Sequence, residues 1–163
     1  MRKKLQSFKP VVDKKSEILI LGSMPGPVAL KKQQYYGYEG NHFWQILPRL
    51  FGLERPDNYK DRLQLLKDHH IALWDVLKNC SRVGASDSSI RHEIPNAIPE
   101  LLHKFPAIKA IFINGRTAET LFRRWFKEVA GRPVRYLPST SPAHASLSLN
   151  EKMKKWRAIK KYS

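Results

Sequence analysis

Four short apolar runs, at residues 17–22, 71–76, 108–113 and 134–138, interrupt an otherwise polar chain, and each stops at small or polar residues. Continuous apolar character over so few residues, bounded in this way, predicts buried strands. Between the runs the apolar spacing changes to three and four. Over 116–129 it takes in Ala118, Leu121, Phe122, Trp125, Phe126 and Val129, while Arg123, Arg124 and Lys127 occupy the opposite side. That spacing predicts an amphipathic helix with its aromatic residues in the core. Phe43, Ile46, Leu47 and Leu50 fit one face of another helix. A further helix opens on Ser148-Leu149-Asn150-Glu151, a capping-box pattern, and sets Met153, Trp156 and Ile159 against Lys152, Lys154, Lys155 and Arg157. Its basic side is expected to form a phosphate-facing stripe.

Strands that alternate with helices predict an α/β fold, with a central four-stranded parallel sheet flanked by helices in a single domain over 1–163. A length of 163 residues suits one such domain. Every loop that follows a strand then falls on one edge of the sheet. Those loops are 22–41, 75–90, 114–115 and 139–148, and they hold nearly all the small polar residues of chemical interest. There is no internal repeat and no low-complexity segment.

Charge narrows the class of partner. The chain carries 30 Lys and Arg against 14 Asp and Glu, a formal +16. Such an excess points to a polyanion, and its spread along the whole chain points to a folded basic face rather than a disordered arm. No apolar stretch reaches membrane-spanning length. The single cysteine, Cys80, excludes an internal disulfide and a multi-cysteine metal site. His69-His70 lack carboxylates at ligand spacing, so no metal is expected. Gln6, Lys9 and Asp13 interrupt what would be the apolar core of a signal peptide, and a cytoplasmic protein is expected.

The first edge loop begins Gly22-Ser23-Met24-Pro25-Gly26. A strand that ends in a Gly-Pro-Gly turn presents backbone N–H groups at the carboxyl edge of the sheet, where open α/β proteins bind ligands. The Gly-Lys-Ser/Thr ending of a nucleotide P-loop is missing. Downstream lie Tyr35, Tyr36 and Tyr38, which wall a pocket or pack the loop, and then Asn41-His42-Phe43-Trp44. A second rigid, hydroxyl-rich loop follows the last strand: Ser139-Thr140-Ser141-Pro142-Ala143-His144-Ala145-Ser146.

The Gly-x-x-Pro-Gly turn, the Asn-x-Phe-Trp segment and the late Ser-Pro-Ala-His loop together resemble the uracil-DNA glycosylase superfamily, most closely its hypoxanthine-DNA glycosylase branch. The likeness covers about residues 15 to 160. It implies a cofactor-free enzyme that flips a deaminated base, hypoxanthine or uracil, into a pocket at the strand ends and hydrolyses its N-glycosidic bond. Such chemistry needs a stacking face, hydrogen bonds to the base edge, a sink for the charge of the leaving base, and a water aimed at C1′.

By this resemblance Asn41 positions the water. An amide cannot take a full proton, so bond breaking would run ahead of water attack. The alternative for Asn41 is a helix cap. Phe43 is implied as the stacking ring, or else it is core. The five residues of the 22–26 turn and Asn114 fall to the base pocket. Asp75 is either a true base for the water, a reader of the N1–H of hypoxanthine, or a cap or arginine partner. His144 donates to the departing base, contacts a phosphate or wedges the gap left by flipping, with Leu147 as the apolar alternative. Ser139, Thr140 and Ser141, with Pro142 and Ala143, are expected on the flanking phosphates.

The chain departs from better-known branches of the family at two points. Met24 stands where those carry Asp or Asn, so the catalytic load moves elsewhere. In the late loop Ser141 precedes proline and the histidine follows two residues later, which leaves the register open. A monomer acting on DNA near the nucleoid is expected. The competing readings are a mismatch-type uracil glycosylase, a catalytically silent nucleic-acid-binding module on the same fold, and a flavodoxin-like or nucleotide-binding α/β protein.

Overall fold

The computed structural model describes residues 2–163 apart from 128 and 130. In chain order the elements are β1 (Lys3–Gln6), β2 (Ile18–Gly22), α1 (Pro27–Lys32), α2 (Phe43–Leu50), α3 (Tyr59–Asp68), β3 (Ile71–Asp75), β4 (Leu77–Arg82), a 3-10 turn (Asp87–Ser89), β5 (Arg91–Pro95), α4 (Ile98–Lys104), β6 (Ala110–Asn114), α5 (Arg116–Trp125), β7 (Val134–Leu137), α6 (Leu149–Trp156) and a closing 3-10 turn (Arg157–Lys161).

The four apolar runs form the expected parallel sheet, in the order β3-β2-β6-β7. Every residue of β2 and β6 is buried, because helices cover both faces. Successive side chains alternate between the two layers. Ile18, Ile20, Leu73 and Phe112 pack with Phe43, Ile46 and Leu47 of α2, Leu66 of α3 and Trp156 of α6. Leu19, Leu21, Ile111 and Ile113 pack on the other side with Leu101 and Leu102 of α4 and Leu121 and Phe122 of α5. The chain runs from β2 outward to β3, then crosses back to β6 on the other side of β2. That reversal leaves a crevice beyond the carboxyl ends of β2 and β6, the usual ligand position in open α/β sheets.

A second sheet departs from the expected layout. β1, β4 and β5 form a three-stranded antiparallel sheet in the order β1-β4-β5, so part of the presumed 75–90 loop is strand. β4 shifts register against β5, and β5 is largely exposed, so neither shows the apolar alternation that announces a strand.

Two helix faces also differ from expectation. The helix predicted over 116–129 stops at Trp125, residue 128 lies outside the described residues, and Trp125 is not core. It is 42% exposed, with its indole N–H donated to Glu93 at 3.2 Å. Position 125 sits at the last turn, where the layer beneath has ended. In α6 the capping box is present as read, but Lys152 is turned inward and only 1% exposed. The phosphate-facing stripe therefore loses this lysine.

Candidate active site

A cleft of about 810 Å³ opens at the carboxyl ends of β2, β3 and β6. Its floor is set by the corner after β3. The N–H of Val76 donates to Gly22 O at 2.8 Å, and the Asn96 amide donates to Asp75 O at 2.8 Å and Leu77 O at 3.1 Å. These bonds hold the Asp75 side chain against the end of β2. It is 4% exposed, and its Oδ2 is buried without a hydrogen-bond partner among the described residues. Burial pushes this carboxyl up to about 7, with the Asp87 charge adding and the Arg82 charge opposing. A buried carboxyl oxygen without a hydrogen-bond partner is costly to the fold, and a carboxyl so perturbed at a cleft floor is a candidate functional group.

Gly22 makes room for it. A Cβ at Gly22 would lie 2.6 Å from Asp75 Oδ1 and 3.1 Å from the Tyr36 hydroxyl, so even alanine must displace one of them. Gly22→Ala is expected to cost about 1–3 kcal/mol of stability, as overpacking does, and to spoil the cleft floor. Urea denaturation checks the first effect; an unchanged midpoint would mean the corner is looser than drawn.

Tyr36 forms a wall. Its backbone φ is +53°, a left-handed conformation that a non-glycine residue holds at a cost. Its ring stacks on Phe43 with centroids 4.0 Å apart and planes 13° apart. Phe43 is fully buried beneath it and does not line the cleft, which corrects its assignment as the ring open to a base. Its apolar helix face belongs to the core, and the aromatic residues that line the cleft are Tyr35, Tyr36 and Tyr38.

Asn114 is spent on bracing. Its Nδ2 donates to the Tyr36 hydroxyl at 3.2 Å and to Thr140 Oγ1 at 3.0 Å, while its Oδ1 accepts from Thr140 N–H at 3.0 Å. Both amide protons are thus used, and one carbonyl lone pair is left for any ligand. Thr140, expected on a phosphate, is 1% exposed with its hydroxyl directed at Asn114; it locks the late loop to β6 instead.

The 22–26 turn lines the cleft, as does Met24, whose side chain is 6% exposed. Ser23 donates to Asp87 Oδ2 at 3.1 Å. Arg82, 2% exposed, donates to Pro25 O at 2.8 Å and Gly84 O at 2.9 Å and lies 3.5 Å from Asp87 Oδ1. Arg82 therefore clamps the turn to the loop facing it. Nothing in the sequence distinguished this arginine from the many surface cations.

Asn41 stands on the rim of the cleft. Its Oδ1 accepts the Phe43 N–H at 2.9 Å, bracing the entry to α2 one residue ahead of the His42 N-cap, and one carbonyl lone pair and both amide protons are left over. Across the rim, Ser139, Ser141, Pro142, Ala143 and His144 all border the cleft. The loop is held by its own bonds, Ser141 N–H to Ser139 Oγ at 3.1 Å and His144 N–H to Ser141 O at 3.1 Å. Leu147 lies outside the cleft lining, half-buried before the Ser148 cap. Among the described residues no group of three or more His, Cys, Asp and Glu side chains is placed to hold a metal ion.

Comparison with known proteins gives a consistent picture. A family profile described as "Uracil DNA glycosylase superfamily" matches residues 9–161. A protein of Methanosarcina acetivorans named "Hypoxanthine DNA glycosylase" is 39% identical over 158 residues, 94% of this chain and 96% of the relative. One of the same name from Methanosarcina barkeri is 44% identical over 114 residues, 69% of this chain and 72% of the relative. A solution NMR structure from Methanosarcina acetivorans matches with a TM-score of 0.80 and 36% identity, covering 97% of this chain and 99% of the other.

Proposed function

This chain belongs to the uracil DNA glycosylase superfamily, and on that premise we propose that it is a monofunctional DNA glycosylase that flips a deaminated base, with hypoxanthine favoured, and hydrolyses its N-glycosidic bond. The observation that carries the reading is the floor of the cleft. Asp75 lines the cleft with a buried carboxyl that has an oxygen free of partners among the described residues, close to Tyr36, which lines the same cleft. An extruded base inserted there stacks on the Tyr36 ring and offers its N1–H to the carboxylate.

The chemistry follows from what the rim can supply. The bond from C1′ to the base nitrogen breaks with its electron pair leaving on the base. Water then adds to C1′, its proton passes to solvent, and an abasic site remains. Asn41 has no capacity to remove that proton, so it orients the water through the lone pair that the bond to Phe43 leaves free. Met24 supplies only an apolar, adaptable surface for the base. Backbone N–H groups of the 22–26 turn, with Ser139, Ser141 and His144, are the donors available to the departing base and to the flanking phosphates. Action as a monomer on DNA at the nucleoid belongs to the same proposal. No helix among the described residues is long and apolar enough to cross a membrane.

Duplexes with a single deoxyinosine, deoxyuridine or undamaged base, incubated with excess protein and then treated with alkali, test the reading. Scission at deoxyinosine, with free hypoxanthine recovered, is expected; scission only at deoxyuridine would favour the uracil enzyme. Equal binding to all three without scission would favour a silent binding module.

The charge of +16 sets a further expectation. Each phosphate neutralised by Lys or Arg releases counterions, so log affinity falls linearly with log salt at a slope of about −0.9 per phosphate contacted. Fluorescence anisotropy between 50 and 200 mM salt, concentrations on the order of those used for such slopes, measures it. A flat response would detach the basic surface from DNA.

A further inference from the structure

We propose that Lys152, an α6 residue outside the cleft, is a positioning residue for base release that fastens the loop carrying Ser141 and His144 to the segment carrying Asn41. The proposal rests on the glycosylase reading of the cleft.

Lys152 is 1% exposed, and its Nζ donates to the backbone carbonyl of Ser141 at 3.2 Å and lies 3.5 Å from Nδ1 of His42. No salt bridge to it forms among the described residues. The ammonium therefore sits between the two rims of the cleft. One rim is the late loop, whose Ser141 carbonyl it holds. The other is the Asn41-His42 segment, whose His42 N–H also donates to Thr140 O at 2.9 Å. Burial lowers the lysine, and His42 is lowered by burial and then by the Lys152 charge, the direction that favours the neutral ring beside the ammonium.

A buried cation without a counter-ion costs stability, and an apolar side chain of similar length usually does not. A lysine kept for packing alone would be a poor choice at this place. The gain lies in geometry: Asn41 must hold a water while Ser141 and His144 face the base and its phosphates, and a shift of about 1 Å in such an arrangement is enough to slow a reaction strongly.

The test uses the full-length protein, deoxyinosine duplex and single-turnover release of hypoxanthine. Release by the wild type secures the glycosylase reading, and its absence on every deaminated base would sink that reading instead. Lys152→Met is expected to keep or raise the Tm and to lower the saturating rate by about tenfold, with little change in duplex affinity. Hydrogen exchange of the 141–147 amides should quicken in the same variant, whichever base is the substrate. Positions 80 and 152 are both buried in the folded chain, so Lys152→Cys in a Cys80→Ala background is alkylated with 2-bromoethylamine in urea and refolded, which rebuilds the side chain with its amine. It should recover the rate of the Cys80→Ala protein taken through the same steps. A Lys152→Met rate equal to wild type, unchanged exchange in the loop, or a loss that the rebuilt amine fails to restore would each overturn the proposal.

Discussion

Asn41→Ala is expected to lower single-turnover release of hypoxanthine by about 10²–10³-fold, the cost typical of removing one preorganised polar group from a transition state. Two consequences of the same substitution have to be separated. The Asn41 carbonyl accepts the Phe43 N–H at the entry to α2, 2.9 Å away, so its loss also costs about 1 kcal/mol of stability. Asn41→Ser keeps an oxygen for that N–H but shortens the reach toward the cleft. Recovery of Tm without recovery of rate in Asn41→Ser would place the effect on the water. If the serine variant regained full rate, the bond to Phe43 alone would account for Asn41, and the water would have to be handled elsewhere, with Asp75 the remaining candidate.

Asp75→Asn should lower release by about 10–100-fold, the range for losing a hydrogen bond to a charged group, and should also flatten its pH dependence. The carboxyl is held at about 7 mainly by burial. The ionised form accepts a base N1–H more strongly than the neutral acid does, so the wild-type rate should climb as pH rises through about 7 and level off above it. The variant should show no such rise. A wild-type profile that falls across the same range would mean that the protonated acid is the active form, donating to the base carbonyl.

Stability moves the other way. The folded-state pKa is raised, so the native chain binds a proton that the unfolded chain has already released. The stabilisation is complete below the unfolded value near 3.8 and is lost as pH rises through about 7. At pH above this window, roughly pH 8 by the same linkage, Asp75→Asn removes the buried charge and should raise the Tm, by about 2–4 °C for each kcal/mol recovered. A more stable and less active variant is what a site that stores desolvation energy predicts. A lower Tm at that pH would instead show that the carboxylate makes a stabilising contact.

The sheet and its edge were legible because their signals are local. Continuous burial on two faces leaves uninterrupted apolar runs, and each run could be seen without knowing its neighbours. The 22–26 turn, Asp75 and the late loop come together at the cleft because each lies at or just after a strand end and a parallel sheet brings such positions to one side. Asn41 reaches the same rim through the long segment after β2. The antiparallel sheet was not legible. Strands β4 and β5 earn their pairing from each other, through bulged register and exposed positions that resemble loop.

The remaining differences share one cause. Phe43 and Tyr36 are both aromatic and seven residues apart, and only packing decides that Phe43 goes under and Tyr36 meets the cleft. Thr140 and Ser141 are adjacent hydroxyls, yet the Asn114 amide takes one inward. Arg82 and Lys152 look like any of the 30 basic residues until the fold buries them. Sequence by itself determined the parallel sheet, its functional edge and the demand for a polyanion, because periodicity and charge are properties of the chain alone. Tertiary structure decided which polar groups are spent on holding the cleft and which remain for a ligand, because a hydrogen bond or a buried charge is defined only by the distant residue that meets it.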